Sequence, residues 1–273
     1  SKTNRREGNA LIAILPKEGV MPYPPIIEAK EILRRSEKGT LKPFFVRDTR
    51  DELYVVKGVD GAGRQALVAE LICSELGKRC GLPVAEYALM EFPHGMLEFS
   101  TEPGATDLNG GVAYASKVVP YCQELTFTQV EQVPVELQQL VLLFDIWVSN
   151  EDRYLSNLGG NVNLLQGQDG TKVGGKLVVI DHNLAFSPMA GIGDFSSHVF
   201  SAQRPALRDL EVQSRYQEML DIALADWSTI VSFLPEEWIY RDPDDKSTAL
   251  TPTLEERYAW LARLRKSSFW SDI

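Results

Sequence analysis

Residues 144–157 read Phe144-Asp-Ile-Trp-Val-Ser-Asn-Glu-Asp-Arg-Tyr-Leu-Ser-Asn157. The stretch closes a run, Pro134–Ser149, in which Leu137, Leu140, Val141, Leu142, Leu143, Phe144, Ile146 and Trp147 surround a helical axis. A helix apolar nearly all round belongs in the centre of a fold, and proline suits its first turn. Asp145 is the charge set among those side chains, and a buried carboxylate needs partners. The polar segment that follows holds Asp152, with Asn157 five residues on. That is the spacing of a phosphoryl-transfer catalytic loop. The aspartate orients an acceptor hydroxyl and takes its proton, and the asparagine oxygen is a hard ligand for Mg²⁺. Standing alone, such a pair equally well caps a turn.

Two further features flank it. Downstream, Leu177-Val-Val-Ile-Asp181-His182-Asn183 is an apolar strand ending in an aspartate, 24 residues after Asn157. A predicted hairpin of 161–165 with 176–180 returns the chain and brings Asp181 beside the loop. Upstream, Tyr54-Val-Val-Lys57 reads as a strand with a lysine at its end, and Glu70 follows 13 residues later on a helix. A lysine held by a helix glutamate suits the α- and β-phosphates of a nucleotide. Each feature is modest alone. Their joint order matches a reaction that depends on positioning and charge neutralisation.

The remaining pattern predicts a helix over 26–35, strands over 41–47, 53–59, 83–92 and 112–119, and a helix over 64–80 ended by Gly81. The tail carries two or three more helices, one starting at a Thr253-Leu-Glu-Glu256 capping box. This gives a small α+β unit ending near residue 120, a boundary at 120–124 and a mainly helical remainder. Length and balance agree: 273 residues, 44% hydrophobic and 24% charged, are enough for a sizeable core. No apolar run approaches the ~18 residues of a membrane span, and Ser1–Arg6 lead into no signal peptide. Net charge is −10, with residues 1–50 at 11 basic to 6 acidic and the rest at 17 to 32. An acidic chain without a long basic stripe makes a poor nucleic-acid binder. The basic stretch Lys30–Arg50 is long enough to serve a phosphate locally. Cys73, Cys80 and Cys122 form no CxxC pair, which argues against disulfides and zinc and fits a reducing cytoplasm.

Tyr54-Val-Val-Lys57, Glu70 with Gly81-Leu-Pro-Val84 behind it, Phe144–Arg153 and Ile180-Asp-His-Asn-Leu-Ala-Phe186 together resemble the HipA-like kinase family. These are bacterial Ser/Thr kinases with a fold distantly related to protein kinases and phosphatidylinositol 3/4-kinases. The resemblance covers roughly residues 26–200 and is closer to short stand-alone members than to the long toxin. It implies an α+β, bilobal protein-kinase-like fold, with a small mixed α/β N-lobe over 1–120 and a mainly helical C-lobe over 121–273. It implies ATP and Mg²⁺ and a protein substrate; charge balance and hydropathy, not the resemblance, give no nucleic-acid or membrane partner, and a toxin–antitoxin partner is not readable. Residue by residue, Lys57 would bind the phosphates with Glu70 as its pair. Asp152 would be the catalytic base, and Asn157 and Asp181 would hold the metal. Lys117, Val118 and Val119 would form the hinge facing adenine. Ser36-Glu-Lys-Gly39-Thr-Leu-Lys42 would cover the phosphates, although it has a single glycine; Gly61-Ala-Gly63 is a second candidate.

The chain departs from the longer toxins at Tyr154, where they commonly carry histidine, and it has no D-F-G or A-P-E. Arg153 is expected to orient the loop, His182 to be a structural hydrogen-bonding residue, and His94 and His198 to be incidental. Trp147, Trp227, Trp238, Trp260 and Trp270 read as packing residues. Ser36, Thr40 and Ser156 are candidate acceptors for self-modification. Three other readings stay open: a kinase of this fold acting on a lipid or small molecule, a nucleotide-binding pseudokinase or scaffold, and a plain α+β binding module.

Overall fold

The computed structural model describes residues 23–37, 39, 41–167, 176–242 and 244–273. The first part holds five strands: β1 Ile26–Arg35, β2 Phe44–Asp48, β3 Leu53–Lys57, β4 Tyr87–Glu91 and β5 Ala113–Lys117. They close into a barrel in the order β1-β2-β3-β5-β4, with β1 and β4 parallel and the other neighbours antiparallel. Closure leaves no free sheet edge. Small and β-branched residues suit the narrow interior, where Ala29, Phe44, Val46, Val56, Met90, Ala113 and Ala115 meet.

The short α1, Val59–Ala62, and the long α2, Arg64–Arg79, connect β3 to β4. Ala66 to Gly77 are all buried, so α2 is enclosed between the barrel and the rest of the chain. Cys73 and Cys80 lie on it as buried free thiols and act as small hydrophobes. Gly77 has a packing reason: a β-carbon there would come within 2.9 Å of Val84 Cγ1.

The second part is organised by α3, Val135–Val148. Its residues from Gln138 to Val148 are buried. Each fully buried Leu or Phe contributes ~1.5–3 kcal/mol, so this helix anchors the core. After it come the hairpin β7 Tyr154–Ser156 and β8 Gly159–Asn161, and a three-stranded sheet of β6 Cys122–Glu124, β9 Leu164–Gly167 and β10 Leu177–Val179 in the order β10-β9-β6. Helices α4 Leu210–Ala225, α5 Trp227–Ser232, α6 Glu236–Ile239, α7 Leu254–Leu261 and α8 Ser267–Asp272 complete the chain. One continuous core joins α2, α3 and these helices. The indole nitrogens of Trp147 and Trp260 donate to Leu261 O at 2.8 Å and Ser149 Oγ at 2.9 Å, which ties α3 to α7. The capping box at Thr253 is formed: Glu256 N donates to Thr253 Oγ1 and Thr253 N to Glu256 Oε2.

One element differs from expectation. Residues 26–35 form a strand, not a helix. Ile27 and Ala29 alternate inward, but register shifts between Ala29 and Glu31 and between Ile32 and Arg34 break the period of two. The bulges hide the strand from a periodicity count, and pairing on both sides outweighs the helix propensity of Glu, Ala, Lys and Leu. The polar segment after α3 is also more ordered than a loop, since β7 and β8 lie within it. Among the described residues no helix is long and apolar enough to cross a membrane. Ser1–Arg6, Thr40 and the turn of the 161–180 hairpin lie outside the described residues.

Candidate active site

Lys57 is the last residue of β3, and its side chain is 7% exposed. Its ammonium donates to Glu70 Oε1 at 2.6 Å and to Asp181 Oδ1 at 2.8 Å. Glu70 reaches it from the buried face of α2 and uses its second oxygen to accept from His182 N at 3.0 Å. Two carboxylates share one ammonium, and the protonation balance follows. Burial disfavours the charge on Lys57, but Glu70 and Asp181 outweigh it and hold the lysine charged, above its ordinary range. Burial also lifts Glu70, further than Lys57 can pull it back. Asp181 resists the same burial, and the Lys57 ammonium keeps it below the usual carboxylate range.

Asp181 is placed by backbone. Val179 exchanges hydrogen bonds with Pro83 and Ala85, which sews β10 to the segment between α2 and β4. Ile180 N donates to Asn163 O at 3.1 Å. Asp181 itself adopts a left-handed φ of 60°, as do Ser149 (56°), Asn163 (47°) and Phe186 (63°) around it. A non-glycine residue in that region costs energy and persists only where surrounding contacts impose it.

Asp152 follows α3 and is half-buried. Burial raises its carboxyl above the ordinary range, and the charge of Asp181 adds to the effect. Asn161 Nδ2 donates to Asp152 Oδ2 at 2.6 Å and approaches its carbonyl at 3.3 Å. Asn163 Nδ2 is buried without a full hydrogen bond, though near enough to draw the Asp152 carboxyl down slightly. Asn157 lies elsewhere, exposed in the turn between β7 and β8.

Beneath these residues lies a sealed network. Arg153 is fully buried; its Nε donates to Asp145 Oδ2 at 2.6 Å and its Nη1 to Asn163 O at 2.5 Å and Ile180 O at 3.2 Å. One guanidinium therefore joins the segment after α3 to the strand leading to Asp181. Its Nη2 lies 3.3 Å from His182 Nε2. Burial, with Arg153 adding to it, pushes His182 down to about 4, so the ring is neutral. His198, which the sequence marks as incidental, is buried, and its Nε2 meets Asp145 Oδ2 at 2.9 Å. Tertiary folding gives it the partner that sequence distance conceals.

The remaining expected residues lie at the two ends of β3, the β1–β2 connection near Lys57 and Lys117 opposite Tyr54. Pairing of Arg35 with Phe44, and of Phe44 with Val56, sets the β1–β2 connection, with Ser36, Gly39 and Lys42, against the Lys57 end of β3. Gly61 packs on the turn at 105–108, where a β-carbon would meet Asp107 Cβ at 2.7 Å, so close packing explains it. Lys117 ends β5 and pairs with Glu52 at 3.2 Å, and Val118 N donates to Leu53 O.

The family model described as HipA-like kinase matches residues 29–273. The chain belongs to the HipA-like kinase family. No curated protein matches the chain. A solved structure titled as a Helicobacter pylori proinflammatory kinase, CtkA, is similar at 13% identity and a TM-score of 0.46, covering 90% of this chain and 96% of that one. Membership of a kinase family implies phosphotransferase activity, ATP and usually a divalent metal.

In this HipA-like kinase the donors near Asp181 suit such a metal. The Asp152 and Asp181 carboxylates feel each other's charge, and the Asn161 and Asn163 amides lie against Asp152. Carboxylate and amide oxygens are what a hard divalent cation takes. No cluster of three or more His, Cys, Asp or Glu able to hold a metal occurs among the described residues. Asn161 was missed by the five-residue spacing. Its signal is Asn161-Val-Asn163 directly before the apolar Leu164-Leu165 that opens β9, the partner of the strand leading to Asp181.

Proposed function

We propose that this chain transfers the γ-phosphate of ATP, with Mg²⁺, to a Ser or Thr hydroxyl of a protein in a bacterial cytoplasm. The observation that carries the proposal is the ion-paired set Lys57–Glu70–Asp181 facing Asp152. Lys57 holds the nucleotide phosphates, and Glu70 keeps its ammonium in place. Asp181 and Asn161 hold the metal, which when bound neutralises phosphate charge; Asn157 takes that role only if the β7–β8 turn folds inward. Asp152 accepts the proton of the attacking hydroxyl, and burial raises its carboxyl in the direction that strengthens a base. The barrel with α2 serves as the N-lobe and the part after residue 120 as the C-lobe. Lys117, Val118 and Val119 are the hinge, and the Ser36–Lys42 connection, including Gly39, covers the phosphates.

The groove beside the β7–β8 hairpin, which Lys57, Asp152 and Asp181 do not line, favours a protein over an anionic lipid. This open groove of about 970 Å³ runs beside Tyr154–Asn157 and is lined by Phe127, Val130, Val135 and Val199. Glu131 is the one charged side chain among the described residues that line it. A lipid headgroup phosphate would want cations there.

The test is intact mass and ADP release with Mg-ATP, for the wild type beside Asp152→Ala. A gain of phosphate or steady ADP release that disappears in the variant supports the assignment. Full activity in Asp152→Ala would refute it. A melting shift with Mg-ATP and no turnover would favour a nucleotide-binding pseudokinase.

A further inference from the structure

Helix α7 touches three segments that the active site depends on. Trp147 Nε1 donates to Leu261 O at 2.8 Å and Trp260 Nε1 to Ser149 Oγ at 2.9 Å, so α7 grips the end of α3 just before Asp152. Earlier on α7, Arg257 reaches the other two. Its Nη2 donates to Gln65 Oε1 in the first turn of α2, the helix that carries Glu70. Its guanidinium lies over the Phe186 ring at 5.0 Å, in the turn that follows Asp181. Gln65 Nε2 approaches Ala185 O of the same turn at 3.5 Å. Phe186 is itself held at a left-handed φ of 63°, and its N–H donates to Val148 O at 2.8 Å. Arg257, Gln65 and the 185–186 turn therefore meet in one junction.

Arg257 is an expensive residue to bury there. It is 0% exposed, and no carboxylate forms an ion pair with it among the described residues. Its neighbour Glu256 is turned into the helix cap, where it accepts from Thr253 N at 2.7 Å. Pro252 O takes Nε at 3.2 Å, and Nη1 is buried with no partner. Burial pulls the guanidinium below its ordinary range, to about 10. A charge with so few partners is destabilising where an apolar side chain would not be. What the guanidinium supplies is direction: a rigid planar fork holds Gln65 at one angle and lies on an aromatic face.

We propose that Arg257 is a positioning residue for phosphate transfer, which fixes the first turn of α2 against the turn after Asp181 and so sets the spacing of Glu70 and Asp181 about Lys57. This rests on the phosphotransferase reading above. Arg257 acts through Gln65 and Phe186. A misplacement of about 1 Å in a catalytic group slows a reaction by about a hundredfold, so the loss falls on turnover and not on substrate binding.

The test uses the full chain with Mg-ATP and compares wild type, Arg257→Met, Arg257→Lys, Gln65→Ala and the double variant Arg257→Met/Gln65→Ala. Denaturant midpoint, kcat for ADP release and KM for ATP are read for each, with every assay run where that protein is folded. Arg257→Met should lower kcat about tenfold to a hundredfold and leave KM for ATP within about twofold. Arg257→Lys, which keeps the charge and loses the fork, should fall between it and wild type. Gln65→Ala, at a half-buried position, should lower kcat in the same way. The double variant should be no slower than Arg257→Met, because both changes act through one contact. Wild-type kcat in folded Arg257→Met overturns the proposal, as does a rise in KM for ATP with kcat intact. A double variant in which the two losses multiply overturns it as well. If Arg257→Met does not fold, Gln65→Ala decides, and an unchanged kcat there counts against the proposal. If the wild type releases no ADP, the phosphotransferase reading fails, and this inference with it.

Discussion

Two buried charge clusters lie close together, and they are built differently. Around Asp145 every formal charge is matched: Arg153 at 2.6 Å, with His198 at 2.9 Å and Asn150 Nδ2 at 2.9 Å as neutral donors. Asp145 is 1% and Arg153 0% exposed. Around Lys57 one ammonium serves two carboxylates, Glu70 and Asp181, with Asp152 nearby, and Asp181 remains 32% exposed. The first cluster is closed in charge and in space, so it can only hold backbone. The second has surplus negative charge on a partly exposed carboxylate, which a cation can relieve. Proximity in the fold does not make both catalytic; the uncompensated charge and the access mark the one that can react.

The comparison can be broken most directly at its two ends. Asp152→Ala should lower phosphate transfer by about 10²–10⁴-fold, the usual worth of a positioned base, while leaving the melting temperature and ATP binding close to wild type. Arg153→Leu should do the reverse in kind. It strands the Asp145 carboxylate in the core and should cost about 3–5 kcal/mol, read as a fall in the denaturant midpoint. If Arg153→Leu unfolds at the wild-type midpoint, the sealed cluster is not structural. Asn161→Ala should reduce metal-dependent turnover at least tenfold, and Asn157→Ala should change it less than threefold; the opposite ranking would put the metal at the hairpin turn.

pH sharpens the contrast further. His182 is held at about 4 in the fold, against ~6.5 for a free imidazole. A lowered folded value means that the unfolded chain binds the extra proton between those limits. Stability is therefore full above pH ~6.5 and is lost as pH falls toward 4, by at most about 3 kcal/mol from this group. The depressed His198 adds in the same direction. His182→Gln should flatten the slope of stability against pH over that window; an unchanged slope sinks the assignment. Asp152 is raised, so the acid limb of turnover should lie above that of an ordinary carboxylate, with activity falling once protonation removes the base. An acid limb at or below the ordinary carboxylate range would place the base elsewhere.

Much of this was legible in the chain. α3 showed itself because apolar residues cover it all round, α2 because its spacing is helical and Gly81 stops it, and β10 because Val178, Val179 and Ile180 lead straight to Asp181. Lys57 and Glu70 stood out as a strand lysine before a helix glutamate. β1 did not, since two bulges break its alternation. Asn161 did not, since a spacing rule counts residues and the β7–β8 hairpin folds the chain back within that count. Arg153, His182 and His198 could be named but not connected, because their common partner, Asp145, stands 8 to 53 residues away.

By itself the sequence determined which segments are buried, where the charges that a phosphate and a metal require are placed along the chain, and their order. Periodicity and composition are local properties, and burial of apolar surface follows them. Tertiary structure alone decided that β1 closes a barrel, that Asn161 faces Asp152, that one ammonium lies between Glu70 and Asp181, and that Arg257 reaches Gln65. All but the Asn161 contact, which the β7–β8 hairpin makes, are pairings across distant segments. Their energies depend on distance and desolvation, which exist only once the chain has folded.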